Sequence, residues 1–190
     1  MPITSEIVQE LTRAGKVHHD AVHAPDAFEV RLAYDALKRE TLAQFEALMS
    51  TGWSFSFSNV DPYANSQELR DDAKNRSSRV YTGGDLPADH PLAEMTSHGQ
   101  SYNTLFRAIH DVLGHVATGT GFGPSGELCA FQEHAKAFSG EALPALMAET
   151  YAQNAFVNFG PHNPQKLPAS LRPFADQKAY AFPISKNFIP

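Results

Sequence analysis

Three stretches with helical apolar periodicity follow one another in close order, over residues 102–117, 126–138 and 143–156, and no other feature limits the fold as much. Links this short leave consecutive helices little choice but to lie against each other, so the middle of the chain reads as a helical body. Upstream, Phe28, Leu32, Ala36, Leu37, Phe45 and Leu48 recur at helical spacing, with Pro25 and Asp26 suited to a start and Gly52 just past the end. This predicts a long helix over residues 26–49. Shorter helices are expected over residues 5–14 and 66–74, the second capped by Asn65 or Ser66.

Trp53, Phe55 and Phe57 alternate with Ser54, Ser56 and Ser58, the period of a strand with one buried face. Residues 79–82, ending at Gly83-Gly84, are a candidate partner strand, and residues 86–100 read as loop. Five prolines between Pro161 and Pro183 make residues 160–190 an extended tail that wraps the helices. The expected class is mainly α (α+β): a helical domain with a small two-stranded β element and an extended Pro-rich C-terminal tail. With 190 residues, 42% of them hydrophobic, the chain suits one domain over residues 1–190. Its parts are an N-terminal segment 1–24 expected to be mobile, site-bearing helices over 101–159, and the tail.

A net charge of -6 argues against a broad electrostatic grip on nucleic acid, and Asp71 and Asp72 interrupt the basic cluster of Arg70, Lys74, Arg76 and Arg79. Cys129 is the single cysteine, which excludes an intrachain disulfide. No basic segment leads into an apolar run, and no stretch approaches the roughly 20 apolar residues of a membrane span. A cytoplasmic protein acting on a small-molecule or nucleotide substrate is expected, with no membrane partner; the oligomeric state is not readable.

Within the first helix of the central trio, His110-Asp111-Val112-Leu113-Gly114-His115 places two imidazoles and a carboxylate in six otherwise apolar residues. The following helices add Glu127, Glu133, His134 and Glu149, enough donors to surround one ion. On a regular helix Asp111 and His115 share a face, whereas His110 and His115 lie roughly 140° apart. Either Asp111 and His115 bind together, or His110 and His115 do so from a helix end or a local distortion. Gly114 leaves room beside them for a ligand, a backbone or a kink. Glu127 and His134 are about 20° apart around a helix and can both face the first one, while Glu133 points elsewhere.

Glu149 shares a face with Gln153 among Leu146, Ala152 and Phe156, where a carboxylate needs a partner. That partner is an ion, or a network with Gln153, Asn154 or Asn158. The metal candidates are thus His110, His115, Glu149, His134 and Asp111, with Glu127, Glu133 and Gln153 as candidate catalytic groups. Two histidines and a carboxylate with open positions suit Fe(II), and serve Zn(II) or Mn(II) with a bound water. A second histidine cluster, His18, His19 and His23, lies in the N-terminal segment.

The run from His110 to His115 resembles the His-Glu-x-x-Gly-His iron motif of the pterin-dependent aromatic amino acid hydroxylases, with Asp111 in place of Glu. That resemblance implies iron held by His110, His115 and Glu149, which falls 34 residues after His115. Phe106-Arg107-Ala108, His110-Asp111-x-x-Gly114-His115, Gly121-Phe122-Gly123-x-x-Gly126-Glu127, Glu149-Thr150, Gln153-Asn154 and Arg172-Pro173-Phe174-Ala175-x-Gln177-Lys178 together resemble an uncharacterised family of phages and bacteria. This second resemblance implies a phage or prophage setting, hence a host cytoplasm, and no particular reaction. His110-Asp111 is also similar to the paired His-Asp of HD phosphohydrolases, which implies a Zn- or Mn-dependent hydrolase with His90, His98 and Asp176 as further candidates.

Gly121 to Gly126 satisfies G-x-G-x-x-G, but a dinucleotide fingerprint needs a preceding strand and here a helix precedes. The loop is expected instead to present Glu127 at a helix start, where the dipole favours a carboxylate. The functional expectation is a mononuclear non-haem Fe(II) oxygenase or hydroxylase acting on a small molecule or modified nucleotide. Gln153, Asn154 and Arg172 or Lys178 would position the substrate. The alternatives are a hydrolase with Glu127 or Glu133 as general base, and a non-catalytic phage protein whose ion staples three helices together.

Overall fold

The computed structural model describes residues 3–84, 86–163, 167–168 and 171–184. Its order is α1 (Ser5–Asp20), α2 (Phe28–Ser50), β1 (Ser54–Ser58), α3 (Ser66–Ala73), β2 (Ser77–Tyr81), a 3-10 turn (Pro91–Ala93), α4 (Tyr102–His110), α5 (Pro124–Ala135), α6 (Leu143–Met147) and α7 (Gln153–Phe159). Two π-helical turns interrupt this pattern. Asp111–Val116 prolongs α4, and Ala148–Ala152 joins α6 to α7 without a break.

α2 buries Val30, Tyr34, Leu37, Thr41 and Phe45, a stripe spaced by three and four residues. The spacing differs from the expected one at its start: Phe28 and Leu32 are 67% and 56% exposed, because the stripe facing the core runs through Val30 and Tyr34. α2 lies against α4 and α6, and the core gathers where they meet, around the fully buried Tyr34, Leu37, Leu105, Ile109, Leu146 and Met147. Each such aliphatic side chain contributes about 1.5–3 kcal/mol by leaving water.

β1 and β2 pair in parallel, with Phe55 opposite Ser78 and Phe57 opposite Val80. A parallel pair needs a crossover, which α3 supplies. β2 starts two residues earlier than expected, and its Ser78 and Val80 face the core. Of the aromatic face of β1, Phe55 packs on Phe45 with ring centroids 4.9 Å apart, while Phe57 is exposed.

α1 is longer than the expected 5–14 and lies along α7. Thr4 caps it by accepting from the Ile7 N–H. The described part of the tail runs back over these helices as an extended strap. Ala24 N–H donates to Ala179 O at 2.9 Å, His23 Nδ1 accepts from Ala179 N–H at 2.9 Å, and Phe182 N–H donates to Pro144 O at 3.1 Å. The rest of the expected tail, residues 164–166, 169–170 and 185–190, lies outside the described residues. Among the described residues no helix is long and apolar enough to cross a membrane.

The N-terminal histidines act here as fasteners. His18 is 1% exposed, and its Nδ1 lies 3.1 Å from the Tyr180 hydroxyl. Burial, aided by nearby Lys178, pushes the His18 imidazole down to about 4 from an ordinary 6.5. Between those values the unfolded chain binds a proton that the folded chain refuses, so stability rises with pH across this window. It is lost as pH falls from 6.5 toward 4, by about 3 kcal/mol in all. His18→Gln, which cannot titrate, is expected to flatten that part of the pH profile of the urea midpoint; an unchanged slope would assign the loss to other groups.

Candidate metal centre

Ser101 caps α4 by accepting from the Thr104 N–H at 3.2 Å, and the helix delivers His110 at its last residue. Five residues further on, a regular helix would turn His115 away. The π turn, with hydrogen bonds from residue i to i+5, widens the helix and brings the two imidazoles to one side. Their ring centroids are 5.2 Å apart and nearly perpendicular. Gly114 sits in this turn against α5: a Cβ there would lie 3.0 Å from Ala130 O.

α5 starts at Pro124, at a position where the missing N–H costs nothing. The preceding loop folds tightly on itself, so that a Cβ on Gly126 would fall 1.8 Å from Gly121 O. Thr120 adds a hydroxyl bond to Gly126 O at 3.2 Å. The glycines thus serve close backbone approach, and the loop sets Glu127 in the first turn of α5, facing both histidines. His115 Nε2 lies 3.4 Å from Glu127 Oε1, and His110 Nε2 lies 3.8 Å from Oε2. One ligand atom from each of His110, His115 and Glu127 falls within 4.8 Å of the other two, the spread that one ion requires.

The proton positions around His110 follow from its neighbours. Gln44 Nε2 donates to Ala137 O at 3.0 Å, so its Oε1 is the atom facing His134 Nε2 at 3.1 Å. An amide oxygen only accepts, so His134 carries its proton on Nε2. Burial, followed by the charge of His110, holds the His134 pKa well below the ordinary value, and the ring is neutral. His134 Nδ1 is therefore an acceptor for His110 Nδ1–H, 3.1 Å away. His110 Nε2 then points at the Glu127 carboxylate, a position that takes either a second proton or a cation. Without that proton the two acceptors would repel, and a metal ion between them removes the conflict.

The charges answer one another across the cluster. Burial raises the Glu127 pKa, but hydrogen bonding and charge from His110 and His115 outweigh it and bring the carboxyl down to about 2. Burial lowers His115, yet Glu127 and then Asp111 leave its pKa raised overall. Asp111 is pushed up to about 6, chiefly by burial, with His110 and His115 pulling against that and Glu127 adding to it.

A cavity of about 300 Å³ opens beside the cluster, lined by His110, Asp111, Glu127, Glu149, Gln153 and their neighbours. The sequence candidates distribute themselves around it. His134 stands behind His110. Asp111 lines the cavity but supplies no oxygen to the three-atom cluster. Glu149 lines it too, and accepts hydrogen bonds from Tyr34 and from Gln153 at 3.2 Å. Glu133 lies one residue, hence about 100°, from His134 and turns outward to pair with Lys136 at 2.6 Å.

Asn154 lines the cavity, whereas Arg172 donates to Asn158 Oδ1 and Leu167 O, and Lys178 donates to the carbonyls of His18 and His19. Both of these tail cations fasten the tail. Sequence reasoning missed Gln44 and Tyr34, which reach the site from α2. Their only signal is a polar group on or beside the buried stripe of a long helix. No protein-family model, no curated protein and no solved structure matches the chain.

Proposed function

We propose that the chain is a mononuclear metal-dependent enzyme in which His110, His115 and Glu127 hold one divalent ion, Fe(II) in our reading, beside a cavity for a small-molecule substrate. The observation that carries it is the convergence of His110 Nε2, turned by the His134 and Gln44 relay, with His115 Nε2 and the Glu127 carboxylate within 4.8 Å of one another. Such an outer relay is how proteins orient a ligating imidazole. Two histidines and one carboxylate leave coordination positions open, and Fe(II) so held supplies dioxygen activation. Iron is preferred to zinc on the resemblance of His110 to His115 to the hydroxylase motif. In this reading the carboxylate comes from Glu127, 12 residues after His115, while Glu149 stays on the cavity wall.

The chain's own residues then have distinct tasks. Gln44 and His134 lock the tautomer of His110. Glu127 supplies the negative charge that favours a dication over a proton. Asp111 supports a second reading: a half-buried cavity carboxyl with a pKa pushed up to about 6 can take or give a proton close to neutral pH, as a Zn- or Mn-dependent hydrolase needs.

Elemental analysis of protein prepared without added metal or a histidine tag tests the proposal. About one iron per chain is expected, and oxygen uptake with candidate substrates then follows. Stoichiometric zinc or manganese transfers the proposal to hydrolysis, and an absence of bound metal even after loading ends it.

A further inference from the structure

The second π turn places Glu149 on the cavity wall, and such turns are frequent at functional sites. Glu149 is 9% exposed, and every group that bonds it is neutral. The Tyr34 hydroxyl donates to Oε1. His90 Nδ1 accepts from the Leu92 N–H at 3.2 Å, which leaves its proton on Nε2, 3.2 Å from the same oxygen but off the line of a well-formed hydrogen bond. Among the described residues Oε2 accepts only from Gln153 Nε2, whose own Oε1 accepts from the tail's Gln177 at 3.2 Å.

A carboxylate has about four lone-pair sites, and a buried one is stable when its charge is matched. Among the described residues no lysine or arginine pairs with Glu149. The lining guanidinium, Arg107, is engaged with the carbonyls of Tyr81 and Gly83. Apart from His110, Asp111 and Glu127 at the candidate metal centre, the other lining groups are uncharged, and two of them, Phe106 and Phe174, are aromatic rings that favour a cation.

We propose that Glu149 is the docking group for a small organic cation, a substrate carrying a guanidinium or protonated amine, held at Oε2 from within the cavity. The substrate's class deepens the metal-enzyme reading and rests on it for what happens next; the docking itself does not require the metal. Glu149 supplies the countercharge, the Gln177 and Gln153 amides fix the carboxylate, and the rest of the molecule extends along the cavity toward His110 and Glu127.

The test is calorimetric titration of butylguanidine, with 1-butanol and butyrate as controls, into wild type, Glu149→Gln, Glu149→Asp and His115→Ala, alongside metal analysis of each. Butylguanidine is a cation that coordinates metals poorly. It is expected to bind wild type while both controls do not. Binding should fall about tenfold or more in Glu149→Gln and persist measurably in Glu149→Asp, which keeps the charge. His115→Ala should lose metal yet keep the guanidinium. Equal binding by wild type and Glu149→Gln, binding of butanol as strong as that of butylguanidine, or loss of binding in His115→Ala with its circular dichroism intact would overturn the proposal. Loss of metal from Glu149→Gln would overturn it too, by making Glu149 a ligand to the ion. Guanidinium binding by a wild-type protein that holds no metal leaves this inference standing and removes the metal-enzyme reading alone.

Discussion

His115→Ala is expected to lower the affinity for a divalent ion by about a hundredfold or more, since loss of an outer-shell partner alone costs 10–100-fold and this change removes a ligand. His115 is the most enclosed of the three donors, with a side chain 2% exposed, so no solvent-facing rotamer of a neighbour can take its place. The measurement is a competition titration against a chromophoric chelator. His134→Phe gives the graded comparison: it deletes the acceptor of His110 Nδ1–H while keeping a ring among Phe106 and Phe138. A fall of about tenfold is expected there. Wild-type affinity in His115→Ala would remove the centre from the molecule, and equal losses in the two variants would mean that His134 also ligates.

Gly126→Ala is expected to cost about 2–3 kcal/mol and to lower Tm by about 5–10 °C. The added Cβ would meet Gly121 O at 1.8 Å and Gly121 C at 2.7 Å, and backbone atoms cannot swing aside as a side chain does. Relief requires the loop or the start of α5 to move. Glu127 is the next residue, so metal affinity is expected to fall together with stability. Gly140→Ala is the control, because a Cβ there meets nothing within 4 Å. A Gly126→Ala protein with unchanged Tm would show that the loop opens without penalty and does not pin Glu127.

The two variants probe parts of the site that differ in how visible they are from the chain alone. The helical body was legible because apolar spacing reports burial directly. The histidines were legible as chemistry because two imidazoles in an apolar run have few structural reasons to be there. The outward turn of Phe28 and Leu32 was not legible. Several apolar stripes coexist on a helix as long as α2, and only contact with α4 and α6 selects the one that is buried.

What the sequence by itself determined is the inventory: a helical domain with a two-stranded element, an extended tail, and His110, Asp111, His115, Glu127, His134 and Glu149 as polar groups on packed helices. Tertiary structure decided which of them meet. A π turn differs from an α turn by one step in hydrogen-bond register, a choice set by how α4 sits on α5, and it alone turns His110 and His115 to one side. Gln44 reaches His134 from 90 residues away, and Tyr34 reaches Glu149 from 115, so neither partnership leaves a local pattern. Spacing along a chain records which side of an element a residue occupies; which element it faces is settled only when the core closes.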